Sequence, residues 1–194
     1  MNTKMIERLV LAGAATLFAG EAMAHTGVGS VHGFTAGLTH PLFGLDHLTA
    51  MVAIGLWAGL VGGKARFAYP AAFVVTMVIA GIWGMTGAPL PGVEIGIGVS
   101  VVALGLAIAF NLTPPLAAGV AICAAFAIFH GHAHGAELPE DASALSYAAG
   151  FVMATVALHG IGLVLAAQIA RYAPRLARFA GGAMAVAGIA FLAG

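Results

Sequence analysis

Charge is scarce in this sequence. Asp, Glu, Lys and Arg make up 7% of its 194 residues, where a soluble domain carries about 25%. The seven basic residues are matched by seven acidic ones, so no cationic field is available to hold nucleic acid, and that class of partner is excluded. Cysteine occurs once, as Cys123 in an apolar run. It cannot close an internal disulfide and reads as a core- or lipid-facing thiol. The nucleotide-cradling pattern G-x-x-x-x-G-K-[ST] is also missing, so nothing points to a nucleotide-driven machine.

What the chain has instead is apolar bulk: 61% hydrophobic residues and a mean hydropathy of +1.04. Its solvent is mostly lipid. Glycine, with 28 of 194 residues, is about twice as frequent as the usual ~7%. Gly29/Gly33/Gly37, Gly55/Gly59/Gly63 and Gly92/Gly96 show the small-xxx-small spacing that lets membrane helices approach closely.

Residues 1–24 read as a secretory signal peptide. Lys4 and Arg8 charge the front, residues 9–20 form an apolar stretch too short to span a bilayer, and Ala22-Met23-Ala24 offers the cleavage site. Cleavage there leaves His25 as the new N-terminus. Six apolar segments follow, at 34–61, 68–86, 92–111, 115–133, 143–169 and 176–193, with prolines at or between most of their ends. The expected fold is all-α, a polytopic membrane bundle of six transmembrane helices after a cleaved signal peptide, with one membrane domain over 25–194.

All five basic residues beyond the signal peptide lie in two loops, Lys64 and Arg66 after the first span, Arg171, Arg175 and Arg178 after the fifth. Positive loops stay in the cytoplasm. This places the chain in a bacterial inner membrane with a periplasmic mature N-terminus. Glu94, Glu137, Glu140 and Asp141 then fall at the outer side, and Asp46 is the sole carboxylate well inside a span.

Two stretches carry chemistry. In "HPLFGLDHLTAM", residues 40–51, a continuous helix would put His40, Gly44, His47 and Met51 on one stripe with Asp46 on its flank. Two imidazoles, a carboxylate and a thioether suit a borderline divalent transition metal rather than Mg²⁺ or Ca²⁺. A carboxylate at membrane depth costs about 2.5–3.5 kcal/mol on insertion scales, which a bound cation or a histidine hydrogen bond would offset. In "FHGHAHGAELPED", residues 129–141, His130, His134 and Glu137 recur at i, i+4 and i+7 on one helical face. His132 points elsewhere unless Gly131 and Gly135 unwind the chain. A solvated loop could also account for this second stretch. His159 is the one deep histidine on the inward side, where a backbone hydrogen bond explains it equally well, and His32 fits an interfacial or solvent position.

These features resemble the HupE/UreJ family: a signal peptide ending before a histidine, six spans, "HPLFGLDHLTAMVAIGLWAG" in the first span and "FHGHAHGAE" in the fourth. The resemblance covers essentially the whole chain. It implies a secondary permease for Ni²⁺ or Co²⁺ that imports the ion from periplasm to cytoplasm and serves hydrogenase or urease maturation. It also implies metal contact by His40, Asp46, His47, His130, His132, His134 and Glu137. No prosthetic group is expected; the metal ion is the substrate, and the bilayer and the maturation proteins are the partners.

Three other functions compete. A non-transporting metal-binding accessory protein has the same sequence features and differs only in flux. A di-metal membrane oxidase would group its histidines toward the cytoplasm, opposite to the arrangement here. A haem carrier would need facing axial histidines and would be coloured. No enzymatic activity is therefore expected.

Overall fold

The structure, a computed structural model, describes residues 29–140, 142–172 and 175–193; the expected signal peptide and His25 lie outside them. An apolar chain in lipid must satisfy its own backbone, and the helix does this within one segment. The described residues form seven helices: α1 (Gly29–Phe43), α2 (Leu45–Val61), α3 (Ala65–Met85), α4 (Val93–Ala109), α5 (Leu116–Ala136), α6 (Ala144–Tyr172) and α7 (Leu176–Ala193).

Four of them, α3, α5, α6 and α7, are long and apolar enough to cross a bilayer, and α1 with α2 makes a fifth if that bent pair is one span. α4 is apolar but only 17 residues long, about 26 Å against the ~30 Å of a hydrocarbon core. By length, the six expected spans are thus four or five. The ends of α3 to α7 match the expected segments to within a turn.

The first expected span needs correction, because 34–61 is not one continuous helix. The chain bends by 82° between α1 and α2. Pro41, inside α1, lacks the amide that would bond the carbonyl one turn back. Gly44 then takes an extended backbone, φ −81° and ψ 103°, and caps a new helix.

The helices pack mainly as three sets. α1 and α2 run along α6 in the same direction, with Gly33 meeting Ser143, Gly37 meeting Tyr147 and Gly55 meeting His159. α3 runs along α5, Met77 beside Gly131 and Gly81 beside Gly135, while α4 packs against α7 in the opposite sense, Gly105 against Gly181 and Ala185. A Cβ on Gly37 would strike the Tyr147 carbonyl, so this approach requires glycine. Large apolar side chains such as Phe67, Leu145, Phe179 and Val186 face outward, whereas the buried polar side chains among the described residues are His47, Ser100, His130, His132, His134, Thr155 and His159. The bundle is apolar outside and carries its imidazoles within, the arrangement of a membrane protein with an internal polar site.

Candidate metal centre

The break at Gly44 determines where the first motif goes. It leaves His40 near the end of α1 and puts Asp46 in the first turn of α2. The unpaired amides and positive dipole end of that turn favour a carboxylate. α5 brings the second motif to the same place, with His130 and His134 in its last turns and Glu137 at its C-cap. A pocket of about 450 Å³ opens there, lined by Thr39, His40, Gly44, Asp46, His47, Glu94 and Glu137 among others. A larger cavity, about 590 Å³, lies among Trp57, Leu104, Leu112 and Phe126. It holds no imidazole, thiol or carboxylate, so the smaller pocket is the one with chemistry. At the far end of α2, Trp57 Nε1 donates to the Leu112 carbonyl at 2.9 Å.

His40, His134 and Glu137 each offer a ligand atom, and these atoms all lie within 4.8 Å of one another. His40 Nε2 is 2.7 Å from Glu137 Oε2. That hydrogen bond holds the Glu137 carboxyl below the usual carboxylate range, against the opposing effect of partial burial. From this outer set the rings continue inward. His134 lies 4.9 Å from His40 and 4.5 Å from His47, and His47 lies 4.8 Å from His130, centroid to centroid. Phe151 stacks on His134 at 5.3 Å, and Phe73 stands between His130 and His159 at 5.5 and 5.3 Å.

Hydrogen-bond logic assigns the ring nitrogens. Asp46 Oδ1 accepts from the His47 amide at 2.7 Å and faces His47 Nδ1 at 2.9 Å. A carboxylate only accepts, so Nδ1 carries the proton and Nε2 presents its lone pair. Ser100 donates its one hydroxyl proton to the Ile97 carbonyl at 2.6 Å and therefore accepts from His130 Nε2 at 2.9 Å. His130 Nδ1 is then the lone-pair nitrogen. These two freed atoms, His47 Nε2 and His130 Nδ1, are buried without a partner, as are both ring nitrogens of His134. An unanswered buried polar atom costs about 1–3 kcal/mol. A carboxylate or hydroxyl orienting one nitrogen while the other stays free is the arrangement that prepares imidazole for a metal ion.

His132 does not join this set. α5 stays helical through Ala136, so His132 faces away, its Nε2 2.8 Å from the Ala88 carbonyl and its ring beside Trp83. The structure also brings in residues that spacing alone did not mark. Glu94 lines the pocket from α4, and an acidic residue at the outer end of an apolar helix was its only signal. Ser100, Phe73 and Phe151 act through contacts between helices distant in sequence, for which no local pattern exists.

A family model described as HupE / UreJ protein matches residues 13–191. A curated relative named Protein HupE, from Rhizobium leguminosarum bv. viciae, is 48% identical over 177 residues, covering 89% of this chain and 91% of that protein. No solved structure matches the chain.

Proposed function

Because the chain belongs to the HupE/UreJ family, as its match over residues 13–191 shows, we propose that it is a secondary permease that carries Ni²⁺, or Co²⁺, from periplasm to cytoplasm for hydrogenase or urease maturation. One observation supports this reading: His40 from α1 and His134 and Glu137 from α5 offer ligand atoms within 4.8 Å of one another beside a polar pocket.

The chemistry follows from the residues. Glu94, Glu137 and Asp46 give the pocket negative charge, which draws a hydrated divalent cation to the mouth. His40, His134 and Glu137 then replace part of its water shell, the cation displacing the proton shared by His40 and Glu137. Imidazole with a single carboxylate favours Ni²⁺ or Co²⁺ over Mg²⁺. Asp46 holds His47 in the tautomer that offers Nε2, the next lone pair inward, and Ser100 does the same for His130. With no nucleotide-cradling loop in the sequence, the driving force is an ion gradient or a cytoplasmic metal sink, and ligands that bind metal in place of protons suit exchange against protons. The positive-loop rule puts the pocket on the periplasmic side of the inner membrane.

The test is uptake. Cells expressing the chain, given trace Ni²⁺, Co²⁺, Zn²⁺ or Mn²⁺, should accumulate Ni²⁺ or Co²⁺ above cells expressing the Asp46→Asn variant at equal protein level. Metal binding by the purified protein without such accumulation would make it a binding accessory protein and overturn the permease reading.

A further inference from the structure

We propose that Met51, Met77, Thr155 and His159 form a second cation station, softer and uncharged, one step further into the bundle than the histidine–carboxylate mouth. The proposal rests on the permease reading for its purpose, though not for its geometry.

Three helices build it. The expected stripe grouped Met51 with His40 and His47, but the helix break leaves it outside the lining of the polar pocket, fully buried and one turn beyond His47 on α2. Thr155 lies one turn beyond Phe151 on α6, and Met77 one turn from Phe73 on α3. The Thr155 hydroxyl is 3.3 Å from Met51 Sδ and 3.7 Å from Met77 Sδ, so two thioethers from separate helices converge on one oxygen. All three side chains are fully buried. His159 follows on the next turn of α6, 2% exposed, with neither ring nitrogen answered by a hydrogen bond. Helix contacts hold these groups tightly. A Cβ on Gly131 would strike the Met77 carbonyl, and one on Gly55 would strike the carbonyl of His159.

Ordinary packing explains this arrangement poorly. Methionine alone would be unremarkable core filling. A buried hydroxyl placed between two sulfurs, one helical turn from an imidazole with two unanswered nitrogens, is a donor set and not a filled space. An apolar ring at position 159 would occupy the same volume without leaving polar atoms unmet.

The chemistry differs from that of the mouth. The mouth attracts by charge, and carboxylates also suit hard ions such as Mg²⁺ and Mn²⁺. The inner station has two thioethers, a hydroxyl and an imidazole, with no carboxylate among them. Only an ion that exchanges oxygen for sulfur and nitrogen donors gains by entering, so the station discriminates by softness.

The test uses the full chain in liposomes, with a metal-sensitive dye inside and a separate binding titration in detergent. Met51→Leu with Met77→Leu conserves volume and apolarity, and His159→Gln retains a polar side chain. The expected result is Ni²⁺ binding at the mouth within twofold of the parent, with Ni²⁺ entry at least tenfold slower in both variants. If the double variant does not accumulate, Met77→Leu alone and Thr155→Val serve in its place. Entry within twofold of the parent in all variants that insert overturns the inner station. If the parent itself moves no Ni²⁺, the permease reading fails and the station is judged separately. Sulfur scattering around Ni²⁺ bound to the parent, lost in the double methionine variant, supports it; a shell without sulfur overturns it.

Discussion

A single oxygen of Asp46 faces His47 twice, taking the backbone amide at 2.7 Å and the ring Nδ1 at 2.9 Å. Sequence neighbours seldom hold each other this way within a helix, and here the helix has only just begun. The carboxylate sits in the first turn of α2, so its charge meets both the free amides of that turn and the imidazole it orients.

Asp46→Asn tests whether the charge itself matters. An asparagine oxygen can accept the same two hydrogen bonds, so the ring orientation survives while the negative charge is lost. Ni²⁺ affinity should fall by about 10–100-fold, the usual effect of losing a partner that supports a metal ligand, and uptake should fall with it. Protein level must be measured alongside, because removing a charge at membrane depth can raise accumulation. Parental affinity and rate would make Asp46 structural.

Ser100→Ala removes the acceptor that fixes the tautomer of His130. One buried N–H then loses its partner, at a cost of about 1–3 kcal/mol, or the ring changes tautomer and turns its lone pair away. Thermal unfolding in detergent should show the loss of stability, and a Ni²⁺ titration should show weaker binding. Unchanged values in both would mean that His130 is indifferent to Ser100.

The His40–Glu137 pair predicts an acid limb. The Glu137 carboxyl titrates below its ordinary value of 4.5 because His40 bonds to it. Its contribution to stability is therefore present above about pH 4.5 and is lost as pH falls through the lower folded-state value. The pair is half exposed, so the amplitude is modest. Glu137→Gln should flatten this limb in thermal unfolding followed from about pH 6 to about pH 3. Metal binding should weaken over the same fall in pH, since protons compete for the Glu137 carboxylate.

Topology can be tested with single cysteines in a Cys123→Ala background. Lys64 and Glu140 are exposed, unlike Ala65 beside the first of them, which is buried. An impermeant thiol reagent added outside should label Glu140→Cys and spare Lys64→Cys. The reverse pattern would invert both the orientation and the direction of transport.

Much of the helix order was legible because an apolar run bounded by proline or charge leaves a chain in lipid few choices. Hence the limits of α5, α6 and α7 fall close to where composition puts them. The convergence of His40 with His47 was legible for the wrong geometric reason. A straight helix would have aligned them at i and i+7, whereas Pro41 and Gly44 break the helix and the rings still meet at a centroid distance of 6.4 Å. The helical spacing of His130, His134 and Glu137 did describe their shared face, and it also marked His132 as pointing elsewhere. Ser100 and Phe73 were not legible, since their roles come from packing between helices distant in sequence. A hydroxyl or a phenyl ring in an apolar run has no period that betrays its partner.

The broken backbone at Gly44 has a consequence for the barrier an ion must cross. Backbone groups that leave the helical ladder inside a bilayer persist only against protein or against water, and Gly44 lines the polar pocket. The Gly44 amide still bonds the His40 carbonyl and its carbonyl takes the Leu48 amide, so the break is satisfied within the protein, and the open polar pocket gives solvent a path to it. On the permease reading, the insulating layer across this protein is thinner than the bilayer around it, and an approaching cation begins to lose its hydration at His40, His134 and Glu137, not at the lipid boundary.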